Sequence, residues 1–424
     1  MKRTKSSLAI LGGTPVLKAP LKPPYLIGKK EIAIATKLLK KGPLSDYVGA
    51  PGKYFLGGEQ VRSFEAAFTD KFKIKHAVSF NSATTALHAA IVALGIGPGD
   101  EVIVPPYTMS ATPMAVLMNG AVPIFADIDP ETFCIDPDSV EKNISTRTKA
   151  ILAVNLFGQA ADFSGLLPLA KKHGLKIIED NAQAPGALWR GRHAGTIGDI
   201  GVFSFNVHKT IQAGEGGVLV TNNDQYALRA QMCRNHGENL AAQHPETGPL
   251  IGSNYRMTEL TAAIGSAQLS RLDFLTKKRR ALVSYLEESL RGIEGIAIPM
   301  VPKDNYHVYY VYPLLIDEKK LGISRDAFVD AMTAEGYPMS KGYVQPLHLL
   351  PLFQKKQAFN ETHFPFDYQG MTQNYTKGIC PVAERLYEKE FTFTALCQHP
   401  RTKKDIDGFI RALKKVFAHK NELQ

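Results

Sequence analysis

The sequence of 424 residues is poor in cysteine. Its four cysteines, Cys134, Cys233, Cys380 and Cys397, are scattered and lack the paired spacing that is typical of zinc sites. The chain is also much larger than the small secreted frameworks that disulfide bonds stabilise. We therefore expect four reduced thiols and no bound metal ion.

Long hydrophobic runs are also absent. The opening stretch MKRTKSSLAILGGTP has a basic start, but its apolar run LAIL is too short for a secretory signal. No later segment reaches the length of a membrane-spanning helix. These absences predict a soluble, cytoplasmic protein that does not bind a membrane.

Basic residues outnumber acidic ones, which gives a formal net charge of +10, but they are not concentrated in one segment. The densest cluster, KKRR at 277–280, follows an apolar-periodic segment and indicates a solvated helix face. Because no basic stretch is interleaved with aromatic residues, nucleic-acid binding is not expected. A small anionic substrate suits the charge equally well.

Short apolar runs alternate with helix-like segments from about residue 60 to 275. The runs are HAVSF, EVIVP, VPIFADI, KAILAVNLF, LKIIED, IGVFSF and GVLVT. Continuous apolar strands separated by amphipathic helices are typical of a mainly parallel sheet that is covered on both faces. We therefore predict a large α/β domain over 1–275, including an N-terminal extension.

The pattern changes after Asp273. A long charged helix pattern, LTKKRRALVSYLEESLRG, leads to the predicted strand YHVYYVYPLLI, and KKDIDGFIRALKKVFAHK predicts a closing amphipathic helix. These features predict a smaller C-terminal α+β domain over 276–424. The longest predicted loops, 239–253 and 354–377, are expected to shape the pocket for a substrate.

Ligands of such sheets bind beyond the carboxyl ends of the strands, so the residues that follow each run are informative. HAVSF is followed by Asn81 and Ser82, which are good helix caps, and then by the hydroxyl of Thr84. The free amides of a helix N-terminus attract an anion. A simple capped helix would explain this segment as well.

Two ionisable residues also follow predicted strands. Asp180 ends LKIIED, where a buried carboxylate needs a partner, and Lys209 follows IGVFSF, with Ser204 nearby. A structural ion pair is the plain alternative for Asp180. A lysine, a strand-end carboxylate and a phosphate-binding helix end are nevertheless the groups that a pyridoxal phosphate enzyme requires.

Several longer motifs follow one another between residues 81 and 269. They are NSATTALHAAIVALGIGPGDEVIVPPYTMSAT, GAVPIFADIDPETFCIDP, IIEDNAQAPGA, GDIGVFSFNVHKTIQAGEGGVLVT and NYRMTELTAAIGSAQL. Together they resemble the DegT-type (DegT/DnrJ/StrS) sugar aminotransferases, and the resemblance runs in order from about residue 43 to the final helix. The resemblance implies the aspartate-aminotransferase-like fold, fold type I among pyridoxal phosphate enzymes.

The resemblance assigns roles around the cofactor ring. Lys209 matches the lysine that forms the Schiff base with pyridoxal 5'-phosphate and shuttles the proton. Asp180 matches the carboxylate that pairs with the pyridine nitrogen, and Gln183 matches the residue beside the ring hydroxyl. All three residues of the family pattern are therefore present.

The resemblance also assigns the phosphate contacts. Ala83, Thr84 and Ser204 match residues that contact the phosphate of the same chain's cofactor. Asn254, in SNYRMTEL, matches an asparagine that reaches the phosphate of the neighbouring subunit's cofactor. This match implies a homodimer with shared active sites.

Two positions depart from the family pattern. The usual phosphate motif reads Ser-Gly-Thr, whereas Ala83 stands here in place of the glycine. The family commonly stacks an aromatic side chain on the cofactor ring at the position of Met109. Because a thioether also makes favourable ring contacts, we expect Met109 to cover the ring, with Tyr107 as the alternative.

Three histidines are candidates for a role near the active site. Some similar proteins carry histidine in place of the lysine and dehydrate a sugar, but Lys209 occupies the lysine position, so His208 is expected to be a packed neighbour. His236 and His348 fall in segments that line the substrate mouth in similar enzymes. A histidine with an ordinary loop role is an equal alternative for both.

The resemblance implies an aminotransferase that moves an amino group from L-glutamate or L-glutamine to a keto sugar, expected to be nucleotide-linked. The opening LAILGGTPV and the long C-terminal region also resemble aminotransferases of keto-cyclitols and aminohydroxybenzoate-type synthases. A non-catalytic regulatory protein with the same fold is a further alternative. The presence of Lys209, Asp180 and Gln183 argues against it.

Overall fold

The computed structural model describes residues 7–21, 23, 26–238 and 248–424. Within these ranges the strands are β1 (His76–Phe80), β2 (Glu101–Val104), β3 (Val122–Phe125), β4 (Thr148–Val154), β5 (Lys176–Asp180), β6 (Leu188–Trp189), β7 (Arg192–His193), β8 (Ile200–Ser204), β9 (Gly217–Thr221), β10 (Ile296–Ala297), β11 (Asn305–Tyr306), β12 (Tyr312–Ile316) and β13 (Phe391–Thr394). The α-helices are α1 (Lys29–Lys41), α2 (Glu59–Phe72), α3 (Ala83–Ala93), α4 (Ala111–Met118), α5 (Pro137–Lys142), α6 (Phe163–His173), α7 (Asp224–Arg234), α8 (Glu259–Leu269), α9 (Leu272–Leu290), α10 (Glu318–Leu321), α11 (Arg325–Ala334), α12 (Pro351–Gln354), α13 (Pro381–Arg385) and α14 (Lys403–Ala418).

The large sheet contains seven strands in the order β1-β9-β8-β5-β4-β2-β3. Strand β9 runs antiparallel to β1 and β8, and every other neighbouring pair is parallel. The seven apolar runs of the sequence supply these seven strands. Their residues are largely buried on both faces, which explains why the runs are continuous and not alternating. The predicted α/β class with a mainly parallel sheet is confirmed.

Helices cover the sheet with their apolar surfaces. Helix α2 carries Phe64, Phe68 and Phe72 at intervals of four residues, which places them on one face. Their rings pack edge-on or tilted against Phe203 and Phe205, in and just after β8. Helix α3 is buried from Ala86 to Ala93 and is apolar on nearly all sides, as expected of a helix enclosed within a domain.

A smaller three-stranded sheet of order β10-β12-β13 lies in the C-terminal part. It shares a core with the apolar faces of α9, α11 and α14. The charged pattern after Asp273 forms α9, and the closing pattern forms α14, as the periodicity predicts. The expectation of a solvated face at KKRR, 277–280, is only partly right, because Lys277 and Lys278 are exposed whereas Arg279 is buried. The predicted division after residue 275 falls inside α9 and stays a prediction.

The strand predicted over YHVYYVYPLLI is interrupted. The backbone amide of Val308 donates to the carbonyl of Gly158 at 2.8 Å, and that of Tyr310 donates to the carbonyl of Phe157 at 2.6 Å. The middle of the segment therefore binds the residues that follow β4 of the large sheet, and β11 and β12 remain on either side of it. This contact brings Tyr310 to the edge of the large sheet.

Among the described residues, none of the helices combines the length and the apolar character that crossing a membrane requires. The four cysteines are buried and are not paired in disulfide bonds. In the same ranges, no group of three or more His, Cys, Asp or Glu side chains is arranged to hold a metal ion.

Candidate active site

A cavity of about 330 Å³ opens at the carboxyl ends of the central strands. It is bounded by the starts of α3 and α4, the ends of β4, β5 and β8, and the loop between β8 and β9. Its walls include seven of the eight residues expected to hold the cofactor: Ala83, Thr84, Met109, Asp180, Gln183, Ser204 and Lys209. A larger cavity of about 550 Å³ lies elsewhere on the molecule and contains none of them.

Lys209 is carried by residues 205–216, the hairpin connection between β8 and β9. Its backbone amide donates to the carbonyl of Asn206 at 2.9 Å, and Val207 pairs with Gly214 across the hairpin at 2.8 Å. Lys209 is half-buried, and its Nζ lies 4.9 Å from the centre of the Tyr310 ring. Burial lowers the pKa of Lys209, and the nearby charge of Asp180 raises it in opposition. The net effect increases the fraction of neutral amine.

Asp180, the last residue of β5, is a buried carboxylate with neutral partners. Its Oδ2 accepts from the Thr112 hydroxyl at 3.0 Å, and its Oδ1 accepts from the backbone amide of Ala182 at 3.1 Å. Burial raises the pKa of Asp180, although these bonds and the charge of Lys209 oppose the rise. Among the described residues, no cation lies within salt-bridge distance of it.

Glu179 stabilises the chain behind Asp180. Because alternate residues of a strand point to opposite faces, Glu179 points away from the neighbouring Asp180 side chain. Its buried carboxylate accepts from the backbone amides of Gly195, Ile197 and Gly198 at 2.6, 2.5 and 2.7 Å. These bonds join the end of β5 to the turn before β8, and so fix the strand that carries Asp180 relative to the strand that leads to Lys209.

Gln183 links the large sheet to a side chain from the C-terminal part. Its Oε1 accepts from the backbone amide of Phe157 at 2.9 Å, and its Nε2 donates to the hydroxyl of Tyr343, also at 2.9 Å. The amide plane is therefore fixed at both ends. Tyr343 lines the cavity as well, and burial raises the pKa of its phenol above the ordinary value.

The N-terminus of α3 forms the anion-attracting end of the cavity. Ser82 is the N-cap, and its side chain accepts from the backbone amide of Thr85 at 3.2 Å. Gly217 at the start of β9 allows this close packing, because a Cβ there would lie 2.5 Å from the carbonyl carbon of Ser82 and 2.6 Å from the nitrogen of Ala83. Helix N-termini of this kind bind phosphate groups.

Met109 and Tyr107 occupy different environments. Met109 is 57% exposed and lines the cavity, so its thioether is open to a bound ring. Tyr107 is fully buried, its hydroxyl accepts from the backbone amide of Tyr343 at 2.9 Å, and it does not line the cavity. This arrangement favours Met109 as the residue that covers the cofactor ring.

Asn254 lies outside the cavity of its own chain. Its side chain is exposed, and its backbone carbonyl accepts from Asn81 Nδ2 at 3.3 Å. The predicted contact of Asn254 with the partner subunit therefore stays a prediction. The expectation that His208 is a packed neighbour of Lys209 is wrong, because His208 is exposed and lines the cavity rim.

Two other histidines do not line this cavity. His348 is buried, with its Nε2 2.9 Å from Glu384 Oε1, and His236 is exposed elsewhere on the surface. Of the two loops expected to shape the acceptor pocket, residues 239–247 lie outside the described residues. No described residue of either loop lines the cavity.

Three side chains of the site have no assigned role in the sequence motifs. Thr112, on α4, bonds to Asp180, while Tyr310 and Tyr343 form the wall contributed by the C-terminal part. Tyr310 stands in a tyrosine-rich run, which is a usable signal for an aromatic wall. Thr112 and Tyr343 have no such signal, because their roles depend on long-range packing.

The residues of the cavity fit pyridoxal phosphate. The buried Asp180 has a raised pKa and no cationic partner within the described part of the chain, and a protonated pyridine nitrogen would supply one. The α3 terminus suits the phosphate, and Lys209 supplies an amine with a lowered pKa. The charges and donors of the cavity therefore complement the two ends of this cofactor.

Comparison with known proteins points to one family. The family model described as the DegT/DnrJ/EryC1/StrS aminotransferase family matches residues 48–392. A GDP-perosamine synthase of Caulobacter vibrioides is 40% identical over 295 residues, which is 69% of this chain and 78% of that protein. An L-glutamine:2-deoxy-scyllo-inosose aminotransferase of Streptomyces kanamyceticus is 33% identical over 432 aligned positions, covering 99% of both chains.

A solved structure of an aminotransferase from Psychrobacter cryohalolentis has the same fold. It superimposes with a TM-score of 0.81 at 30% sequence identity, covering 94% of this chain and 99% of that one. The similarity therefore extends across both the large sheet and the smaller C-terminal part.

Proposed function

The chain belongs to the DegT/DnrJ/EryC1/StrS aminotransferase family, and we propose that it transfers an amino group from L-glutamate or L-glutamine to a nucleotide-linked keto sugar. The observation that carries the proposal is the common cavity of Lys209, Asp180 and Gln183. An amine, a buried carboxylate and a fixed amide at one sheet edge suit transamination.

Pyridoxal phosphate is the proposed cofactor, and it supplies a carbonyl group that bonds amines and a ring that withdraws electrons from the attached carbon. Asp180 would pair with the protonated ring nitrogen, and Gln183 would lie beside the ring hydroxyl. Ala83, Thr84 and Ser204 would bind the phosphate at the end of α3. Met109 would cover one face of the ring.

Lys209 is the proposed catalytic base. It takes the proton from the α-carbon of the amino donor. It later gives a proton to the carbon of the acceptor that receives the amino group. The lowered pKa of Lys209 supports this role, because the neutral amine is the form that accepts a proton. The hairpin that carries it keeps the amine at the cavity wall.

The acceptor is proposed to be an anionic nucleotide sugar. A formal net charge of +10 suits a diphosphate group, and a similar protein at 40% identity is named a GDP-perosamine synthase. A second candidate is a keto-cyclitol, because the inosose aminotransferase matches 99% of the chain. We favour the nucleotide sugar because of the net charge of the chain and the higher sequence identity of the perosamine synthase.

The proposed assembly is a homodimer in which Asn254 contacts the phosphate bound in the partner's cavity. The exposed position of Asn254, outside the cavity of its own chain, supports this arrangement. Such a site is completed only when two chains associate.

The proposal is tested with purified protein and pyridoxal phosphate. Each donor, L-glutamate and L-glutamine, is combined with a GDP- or TDP-linked 4-keto sugar and with a keto-inositol, and the aminated product is measured by mass spectrometry. We expect visible absorbance of the bound cofactor and amination of the nucleotide sugar. Absence of that absorbance would refute the cofactor assignment, and exclusive amination of the keto-inositol would favour the second candidate.

A further inference from the structure

Three arginines of the described chain are buried, and they differ in how their charge is balanced. Arg234 bonds to Glu65 at 2.6 Å, and Arg325 bonds to Asp326 at 2.5 Å. Arg279, on α9, is 5% exposed and has no carboxylate within salt-bridge distance among the described residues. Burial lowers the pKa of Arg279 to about 10. An unpaired buried cation is costly, so its retention requires an explanation.

The two contacts of Arg279 both lead to the wall around Lys209. Its Nη1 donates to the hydroxyl of Thr210 at 2.9 Å and to the carbonyl of Val308 at 3.4 Å. Thr210 directly follows Lys209 in the hairpin. Val308 lies two residues before Tyr310, whose ring centre is 4.9 Å from Lys209 Nζ.

The same guanidinium nitrogen therefore joins two segments that otherwise belong to different parts of the chain. One segment carries the amine, and the other carries the aromatic ring that faces it. Both acceptors are neutral, so the bonds fix geometry without neutralising the charge. Charge-assisted hydrogen bonds are stronger than neutral ones, which makes arginine suited to hold such a junction.

On the basis of the proposed function, we propose that Arg279 is a positioning residue that holds the Lys209 amine against the ring of Tyr310. It acts through Thr210 on one side and through the backbone of Val308 on the other. Without it, the hairpin and the tyrosine segment lose the link that joins them directly, and the Lys209 amine is held less closely against the ring and is more exposed to solvent.

Arg280 provides a matched control. It is the next residue of α9, and its Nη1 donates to the backbone carbonyl of His307 at 2.6 Å. Its guanidinium lies 3.9 Å from the centre of the Tyr306 ring. The bond of Arg280 thus reaches the same segment as that of Arg279, but Arg280 has no contact with Thr210.

The test measures Lys209 directly. Cofactor-free protein is mixed with pyridoxal phosphate, the bond to lysine is reduced with borohydride, and the modified Lys209 peptide is quantified by mass spectrometry across a pH series. The variants are Arg279→Met, Thr210→Val, Thr210→Ser and Arg280→Met. Thermal unfolding of each is recorded, and kcat and KM are measured separately.

We expect Arg279→Met and Thr210→Val to raise the pH midpoint of trapping, because a solvent-exposed lysine regains its ordinary pKa. A midpoint about one unit higher lowers the neutral fraction roughly tenfold at neutral pH, and the trapping rate falls with it. Thr210→Ser keeps the hydroxyl and restores wild-type values, while Arg280→Met leaves the midpoint unchanged. In Arg279→Met and Thr210→Val, we expect kcat to fall by a larger factor than KM changes.

Thr210→Val separates positioning from charge, because it removes the hydrogen bond and keeps the guanidinium. If only Arg279→Met shifts the midpoint, or if neither variant does, the inference is overturned. If Arg279→Met does not fold, the comparison of Thr210→Val with Thr210→Ser decides alone. Failure of the wild type to trap the cofactor at Lys209 would instead refute the proposed function, and the inference with it.

Discussion

Lys209 Nζ faces the ring of Tyr310, with 4.9 Å between the nitrogen and the ring centre. An aromatic face attracts a cation more weakly than a carboxylate does. The lysine is therefore held in a partly desolvated place without a strong ion pair, and its pKa is lowered. This relationship supports its proposed use as a base and leads to the first two predictions.

Lys209→Ala is expected to abolish turnover. Because the variant lacks both the covalent attachment and the base, kcat should fall by at least about 10³-fold. Product formation and visible absorbance are measured together. Lys172→Ala is the control, since Lys172 pairs with Glu141 on the surface at 2.7 Å and should leave both readouts unchanged. Wild-type turnover by Lys209→Ala would contradict the assignment.

The pKa of Lys209 predicts a pH dependence for the cofactor-free protein. Its folded value lies below the ordinary 10.5, so the unfolded chain binds more protons between the two values. The contribution of Lys209 to stability therefore rises as the pH increases through that interval. The free energy of unfolding of the wild type and of Lys209→Met is measured with denaturant across this pH range. If the difference between the two free energies does not change with pH, the prediction is contradicted.

Asp180→Asn is predicted to affect the cofactor more than the fold. Burial raises the pKa of Asp180 in the folded protein above the ordinary 3.8 of the unfolded chain. The contribution of Asp180 to the free energy of unfolding is therefore lost as the pH rises from 3.8 through the folded pKa. At neutral pH the cofactor-free variant should therefore be about as stable as the wild type. Turnover should fall by about 10²–10³-fold, because the ring nitrogen loses its anionic partner.

Asp127→Asn is the matched control for this prediction. Asp127 is also a buried carboxylate with a raised pKa, and it accepts from the backbone amides of Val382 and Ala383, away from the cavity. The increase in Tm that pyridoxal phosphate causes is measured for both variants, and we expect it to be smaller only in Asp180→Asn. Equal stabilisation by the cofactor in Asp180→Asn and in the wild type would count against the pairing.

Gly217→Ala is expected to disturb the phosphate end of the cavity. The added methyl group would lie 2.5 to 2.6 Å from backbone atoms of Ser82 and Ala83, which must move. We expect a destabilisation of about 1–3 kcal/mol and weaker binding of pyridoxal phosphate. Gly97→Ala is the control, because its nearest contact would be at 3.9 Å. Unaltered affinity in Gly217→Ala would show that the helix end is not the phosphate site.

The predicted role of Asn254 in the partner's site can be tested by mixing two inactive variants. Lys209→Ala and Asn254→Ala subunits are each expected to be defective alone. If Asn254 acts across the interface, every mixed dimer contains one wild-type site, and a random mixture recovers about one quarter of the activity. No recovery after subunit exchange would place Asn254 in its own chain's site.

The sequence predicted the large sheet because its strands are buried on both faces. Each strand, such as β4 or β5, then appears as a continuous apolar run, and the polar residue after it marks the active edge. Asp180 and Lys209 could be found in this way from short-range pattern alone. The residues of the phosphate end also follow a strand directly, so their neighbourhood was equally accessible.

The wall from the C-terminal part could not be found in this way. Tyr343 lies far along the chain from Gln183, and only the folded arrangement brings the two within hydrogen-bond distance. The run around Tyr310 resembled a strand because its residues are apolar or aromatic. Its backbone amides bond to the carbonyls of Phe157 and Gly158, just after β4, and periodicity cannot indicate such a long-range contact.

The single reversed strand of the large sheet, β9, has a mechanical consequence. The residues that bear Lys209 connect two adjacent strands, and both ends of this connection are held by the ladder through Ser204 and Gly217. Moving the backbone of this connection outwards would require breaking pairs between β8 and β9. The sheet therefore anchors the lysine at its backbone, and only its flexible side chain changes position during the cycle.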